Sequence, residues 1–423
     1  MTQNEKHGCR PLYVVALGLT VGCGSGVTAA APCDGDVVQC AALPLSAVDE
    51  VPVEDLPRLR PTWIKSLPIT DAATQQSADW RLAQLSSDRE GNLWLFDRVE
   101  SGVRVSRLDD EGEILNSTVL SPPKGSKTPL SSLAVNAAWE TGRDPSSKLI
   151  WTRGPGCDQT VDRTPGCLSE SEKVIFDRGL DREPVRVPLV ESLMSDGFVN
   201  ERGELFYVTS SWSEPASIIK QDRDTRSPLW THAGTQTVNG EYDLTGAALS
   251  DGRTAVMRHG AAAYLNTIVF YWLEADGSGS SDSAEFAAQV DKTSYRLLAT
   301  GNQPVVVYTD DIGDLHVDRI HKSPEETQAV TFLREDYQML DLHASAISPS
   351  GDVYVLTQSG RRDDGQEVLC RAPADGEGSC VKLPESFSLG RDEYAKLENF
   401  VARDNGVVFA QYGTQFLRLD FPQ

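Results

Sequence analysis

Polar turns followed by short apolar bursts organise this chain, and one such pairing recurs seven times. The copies are Asp88–Phe96, Asp144–Trp151, Asn200–Val208, Ser250–Met257, Gly301–Tyr308, Ser350–Leu356 and Asp404–Ala410. With Gly91, Ser147, Gly203, Gly252, Gly301, Gly351 and Gly406 as equivalent positions, the steps are 56, 56, 49, 49, 50 and 55 residues. No 3.6-residue helical period accompanies them. A repeat of this length built from several short strands predicts the blade of a β-propeller.

Each unit reads as four strands. The first carries small side chains, as in Thr245–Leu249 and His343–Ile347. The second is a near-continuous apolar run such as Val305–Tyr308, which suits a strand buried on both faces. The third is mixed, as in Val103–Leu108, Ser217–Lys220, Leu315–Ile320 and Phe416–Leu419. The fourth is short and partly polar, as in Val185–Leu189 and Ala329–Leu333, which fits an outer edge. The seventh unit offers strands near Leu397–Arg403, Val407–Gln411 and Gln415–Asp420, and then the chain ends. Its fourth strand is expected from Thr62–Ile69. Pairing of Thr62–Thr70 with Phe416–Asp420 would close a seven-bladed ring; a six-bladed ring with a terminal hairpin is the alternative.

The start of the chain has a different pattern. Lys6 and Arg10 precede a mostly apolar run over residues 11–22, too short to span a bilayer and followed by Cys23. That is the layout of a secretory signal peptide. Residues 1–22 are therefore assigned to the signal, 23–60 to a flexible tether and 61–423 to the propeller. The tether is rich in Gly, Ala, Pro and Asp.

The stretch Thr20-Val21-Gly22-Cys23 resembles the lipobox of bacterial lipoproteins, with Thr20 where that family usually has Leu. The resemblance implies lipid modification of Cys23. Gly24, in place of Asp, implies retention at the outer membrane of a Gram-negative cell. Two or three acyl chains would anchor the protein, at about 0.8 kcal/mol per buried methylene. Ordinary cleavage after Ala31, giving a secreted or periplasmic chain, is the alternative.

Eight cysteines agree with export. Cys9 leaves with the signal and Cys23 is the lipidation site. Cys33, Cys40, Cys157, Cys167, Cys370 and Cys380 fall in three close pairs. The loop Ala374-Asp375-Gly376 between two strands places Cys370 opposite Cys380. Cys157–Cys167 would staple an insertion and Cys33–Cys40 the tether, at roughly 2–3 kcal/mol per bridge.

The formal charge is −23, and −24 once Lys6, Arg10 and Glu5 leave with the signal. Such a surface disfavours nucleic acid and anionic lipid as direct partners. The search for chemistry identifies no catalytic residue, no metal site and no cofactor. No nucleophile elbow, phosphate loop or His-Glu-x-x-His motif occurs. His316 and His321 lie five apart, on opposite faces of one expected strand. Asp310-Asp311-Ile-Gly313-Asp314 is the best calcium candidate, against the plain reading of a tight turn.

Residues Lys220–Trp230 are similar to the repeat of quinoprotein-type propellers at Asp222, Thr225, Leu229 and Trp230, with Arg226 at the family's Gly position. The likeness covers one unit. It implies a structural role for Trp230, docked between adjacent blades, and no quinone. The same repeat builds an outer-membrane lipoprotein that scaffolds β-barrel assembly, a likeness of architecture and address. Two function classes stay open. One is a lipid-anchored scaffold for a protein or glycan partner. The other is a propeller enzyme, a calcium-dependent lactonase or a glycan-active hydrolase, with its site at the channel mouth. The sequence departs most from the repeat at Gly154–Leu168 and Asp276–Ser283.

Overall fold

The protein is represented by a computed structural model, which describes residues 45–48, 55–66, 84–87, 92–99, 102–120, 138–140, 148–150, 172–175, 179–188, 194–199, 204–209, 217–222, 227–233, 242–262, 265–279, 286–290, 295–310, 314–321, 328–332, 341–359, 366–384, 397–412 and 415–422. Residues 37–423 belong to one compact unit. Among the described residues the fold is all-β, with one short 3-10 turn at Asp404–Gly406.

Two strands precede the repeats: β1 (Leu45–Val48) and β2 (Pro61–Ser66). Sheet 1 then holds β3 (Gln84–Ser87), β4 (Leu93–Val99), β5 (Gly102–Leu108) and β6 (Ile114–Leu120) in chain order. The second unit forms two hairpins, β7 (Ala138–Glu140) with β8 (Lys148–Ile150) and β9 (Glu172–Ile175) with β10 (Val185–Pro188). Sheet 3 comprises β11 (Met194–Val199), β12 (Leu205–Thr209), β13 (Ser217–Gln221) and β14 (Pro228–Ala233). Sheet 4 comprises β15 (Tyr242–Ala248), β16 (Thr254–Ala262), β17 (Leu265–Leu273) and β18 (Phe286–Gln289). Sheet 5 comprises β19 (Tyr295–Thr300), β20 (Gln303–Thr309), β21 (Leu315–Arg319) and β22 (Gln328–Phe332). Sheet 6 comprises β23 (Asp341–Ile347), β24 (Val353–Ser359), β25 (Gln366–Ala372) and β26 (Ser379–Lys382). Sheet 7 comprises β27 (Leu397–Ala402), β28 (Val407–Tyr412) and β29 (Gln415–Asp420), with β2 as its fourth strand. None of these sheets closes into a barrel.

The core lies between sheets. Alternate residues of each apolar second strand point to opposite neighbours. Val208 and Ile218 of sheet 3 meet Leu244, Val256 and Tyr271 of sheet 4. Met257 and Phe270 of sheet 4 meet Val306 and Tyr308 of sheet 5. Val305, Val307 and Val317 of sheet 5 meet Val353, Val355 and Val368 of sheet 6. Sheet 6 packs on sheet 7 through Tyr354, Leu356, Val408 and Ala410. Sheet 7 packs on sheet 1 through Phe409 and Phe416 against Leu93 and Leu95. A fully buried Phe or Leu in such a layer contributes about 1.5–3 kcal/mol over leaving it in water.

The termini meet as the strand count predicts. β2 runs antiparallel to β29, with Ile64 opposite Leu417 and Lys65 opposite Phe416. Residues 67–70 of the expected strand lie outside the described residues. The segment read as flexible tether carries structure before β2. β1 adds to the outer edge of β22 in parallel, Leu45 opposite Ala329 and Val48 opposite Phe332. Further on, the Leu59 amide donates to the Lys382 carbonyl and the Lys382 amide to the Pro57 carbonyl, each at 2.9 Å. Leu56 packs against the layer between sheets 5 and 6, and Leu59 against that between sheets 6 and 7. This strap borders three successive sheets. Composition alone pointed to a tether because Pro and Asp are frequent in it. Its short Leu and Val positions were too sparse to register as strands.

Candidate functional site

Three buried ionisable groups, Tyr308, His316 and Asp318, converge on the sheet 5 face that looks toward sheet 4. They sit at alternate positions of three adjacent strands. Tyr308 of β20 is opposite His316 of β21, which is opposite Thr331 of β22. Asp318, two residues on, shares the face of His316. The Tyr308 ring stacks on His316 with centroids 4.7 Å apart and planes at 14°. His316 Nε2 is 2.9 Å from Asp310 Oδ2, and its Nδ1 is 3.1 Å from Thr331 Oγ1.

Burial and charge compete at this site. Burial alone would lower the His316 pKa, but its hydrogen bond to Asp310 and the charges of Asp318, Asp310 and Asp314 raise it above its usual value. Asp318 is 1% exposed, and burial pushes its carboxyl up to about 6, against the opposing pull of His316 and Tyr308. The Tyr308 hydroxyl stabilises the carboxylate from nearby, yet neither Asp318 oxygen has a hydrogen bond of normal geometry. Burial, then the Asp318 charge, hold the Tyr308 phenol well above its ordinary range.

A carboxylate, an imidazole and a hydroxyl in line form a proton relay in principle. Here the hydroxyl end is buried, Thr331 being 3% exposed.

The calcium candidate is absorbed by the same cluster. Asp310 Oδ1 accepts from the Asp314 amide at 2.9 Å while Oδ2 holds His316. Both carboxylate oxygens serve the turn and the imidazole. Residues 311–313 lie outside the described residues. Among the described residues no group of three or more His, Cys, Asp or Glu is placed to hold a metal. β21 ends at Arg319, so His321 lies past the strand it was expected to share with His316.

At four places among the described residues a side chain of an outer strand docks on a turn of the next sheet. Trp230 of β14 lies on the turn between β17 and β18 and donates Nε1–H to the Ala275 carbonyl at 3.0 Å. A Cβ on Gly277, whose φ is +82°, would sit 2.7 Å from the indole. Trp63 of β2 does the same on the turn between β5 and β6. Its Nε1–H reaches the Asp110 carbonyl at 3.2 Å, and a Cβ on Gly112 would sit 2.7 Å from its ring. Asn116 of β6 donates to the Gly179 carbonyl at 2.8 Å in the turn before β10. Phe332 of β22 packs over Gly378 before β26. The docked position of Trp230 agrees with the role its repeat implies. Part of the loop at Asp276–Ser283, singled out as a departure from the repeat, is this receiving turn.

Cys370 lies opposite Cys380 across β25 and β26, and the two are disulfide-bonded. Cys23, Cys33, Cys40, Cys157 and Cys167 lie outside the described residues, as does the insertion at Gly154–Leu168. The buried cluster and the strap were missed from sequence. Their signals were the alternating Leu-His-Val-Asp of β21 and the sparse apolar positions at Leu45, Val48, Leu56 and Leu59.

No family model matches the chain, and no curated protein matches it. Among solved structures it is similar to the Dos1 propeller, at 14% identity and TM-score 0.43 over 71% of this chain and 70% of that one. It is also similar to the WD40 domain of SCAP from fission yeast, at 11% identity and TM-score 0.42 over 81% of this chain and 85% of that one.

Proposed function

We propose that the protein is a lipid-anchored cell-envelope β-propeller that acts as a binding scaffold for a protein or glycan partner. Its seven blades are the repeat units, and β2 pairing with β29 closes the ring. The observation that carries this reading is the docking of Trp63 on the Gly112 turn. It ties the last sheet to the first in the way Trp230 ties sheet 3 to sheet 4. A body stitched at successive interfaces is a rigid support for variable loops, and loops on rigid supports carry recognition. The buried cluster of Tyr308, His316 and Asp318 lies within an interface, which favours support over catalysis. The cysteine pair at Cys370–Cys380 supports an oxidising compartment, and the lipobox resemblance at Cys23 supports an outer-membrane address.

Metabolic labelling with a palmitate analogue tests the anchor. Label is expected on the wild-type chain and absent from Cys23→Ala. Label retained by that variant rules the anchor out. Crosslinking in intact cells, followed by purification from solubilised envelopes, tests the scaffold. A stoichiometric envelope partner is expected, and its loss on shortening the insertion at Gly154–Leu168 would place the contact there. A chain that crosslinks to no envelope component in stoichiometric yield is not a scaffold.

A further inference from the structure

The strap before β2 covers edges that the fold does not need covered. β14 and β18 are the outermost strands of sheets 3 and 4 and have no strand beyond them among the described residues. β22 and β26 hold the same place in sheets 5 and 6, yet residues of the strap lie on both. β1 pairs in parallel with β22, Ser46 opposite Val330 and Ala47 opposite Thr331. The chain then reaches β26, where Arg58 lies opposite Lys382. The Lys382 amide donates to Pro57, and its carbonyl accepts from the Leu59 amide. Leu59 is buried and Leu56 half-buried, while Asp55, Pro57, Arg58 and Arg60 are exposed. β2, which continues the strap, is held more firmly. It pairs with β29 at five positions, Thr62 Oγ1 donates to Asp420 at 2.7 Å, Lys65 pairs with Glu113, and Trp63 docks on the Gly112 turn. Parallel pairing is also slightly weaker per residue than antiparallel pairing.

We propose that residues 45–59 are an exchangeable cover, displaced when a protein partner adds an extended segment of the strap's own pattern to β22 and β26. The strap releases before β2 and uncovers two backbone edges together with the places of Leu56 and Leu59. Edges of this kind accept extended peptides, with main-chain bonds supplying affinity and side-chain places supplying choice. The strap itself states the chemistry of the incoming segment. That segment runs parallel to β22, pairs with Lys382 through its backbone, and carries two leucines three residues apart. The first enters the layer between sheets 5 and 6 and the second the layer between sheets 6 and 7, as Leu56 and Leu59 do. The proposal names a protein rather than a glycan as the partner, and it rests on the scaffold reading for that partner's existence. The covered site can be tested without the partner.

The test uses the full-length chain carrying Cys23→Ala, so that no lipid holds copies together. Hydrogen exchange read by mass spectrometry compares the strap with β2 in this chain. The strap is expected to exchange about tenfold or more faster than β2, as a unit that opens locally does. A labelled peptide of residues 44–60 is then added in solution. It is expected to bind the chain that also carries Leu56→Asp and Leu59→Asp, whose own strap is weakened. Binding to the chain with its native strap is expected to be about tenfold or more weaker, because the tethered strap competes at high effective concentration. Circular dichroism confirms that the doubly substituted chain folds; the exchange measurement needs no substitution in the strap. A strap that exchanges only together with β2, a peptide that binds neither chain, or one that binds both equally would each overturn the proposal. Peptide exchange in a chain that captures no envelope partner would support the exchangeable cover and overturn the scaffold reading alone.

Discussion

The two faces of sheet 5 are made by alternate residues of the same strands, and they hold the molecule together in different ways. Toward sheet 6, Val305, Val307, Leu315, Val317 and Val330 form a dry aliphatic layer with Val353, Val355 and Val368. Toward sheet 4, Val306 shares its face with Tyr308, His316, Asp318 and Thr331. The first face rests mainly on burial of apolar area, with Arg319 at its end donating to the Gly351 and Ala372 carbonyls of sheet 6. The second buries ionisable groups and depends on their partners. A one-residue step along β21 therefore changes the physics of the position completely.

The largest effect is expected when the same side chain is placed on the wrong face. Asp318 is tolerated because His316 and Tyr308 adjoin it. Val317→Asp would bury a carboxylate among aliphatic side chains, and the nearest cation on that face, Arg319, already donates to the Gly351 and Ala372 carbonyls. A loss of about 5 kcal/mol is expected, enough to unfold a marginal domain. Urea denaturation measures it; a loss under about 2 kcal/mol would mean that water or a partner reaches the dry face. Next in size is Phe332→Ala, which empties the ring's place over Gly378. About 3–4 kcal/mol should be lost. Adding Gly378→Ala should cost less in that background than alone, because the new methyl then occupies vacated space.

How the two faces appear in the sequence explains what could be read in advance. The runs Val305–Tyr308 and Val353–Leu356 announce strands buried on both sides, and six of the seven units read from such runs are sheets of four or five strands, the second being two hairpins among the described residues. The pairing of β2 with β29 follows from counting strands, and that of Cys370 with Cys380 from a three-residue turn. β21 is ambiguous for a physical reason. Its Leu-His-Val-Asp alternation suits a half-exposed strand as well as a packed one, so His316 reads as either a surface or a blade-packing residue. Its packing against Tyr308 and its bonds to Asp310 and Thr331 come from strand pairing that the alternation does not reveal. The strap over β22 and β26 is hidden likewise, because its pairing partners are remote and its apolar positions few.

Asp318→Asn sharpens the polar side of the comparison through pH. The folded chain holds the Asp318 proton up to about pH 6, whereas an unfolded carboxyl releases it near 3.8. Between those values the folded state binds more protons, so stability falls as pH rises and stays low above 6. The variant has no such proton. It should match the wild type near pH 4 and exceed it at pH 8, by on the order of 2–3 kcal/mol. Thermal unfolding across that range measures the difference. An advantage already present at pH 4 would assign the gain to packing rather than to charge.

The smallest expected effect is at Thr331→Val, and it tests the imidazole itself. His316 is raised above its usual value in the folded chain, so its protonated form contributes stability below pH 6.5 that is lost as pH rises through the folded value. Protonated His316 donates from both nitrogens, to Asp310 and to Thr331. Valine keeps the volume of threonine and removes the acceptor, leaving one buried N–H unsatisfied. The expected loss is about 1 kcal/mol, largest at low pH because hydrogen bonds to a charged donor are the stronger kind. The His316 titration, followed by NMR, should move down as the charged form loses a partner. A titration that does not move would show that Asp310 alone holds the charge and that Thr331 belongs, in energy, to the dry layer on the other side of the sheet.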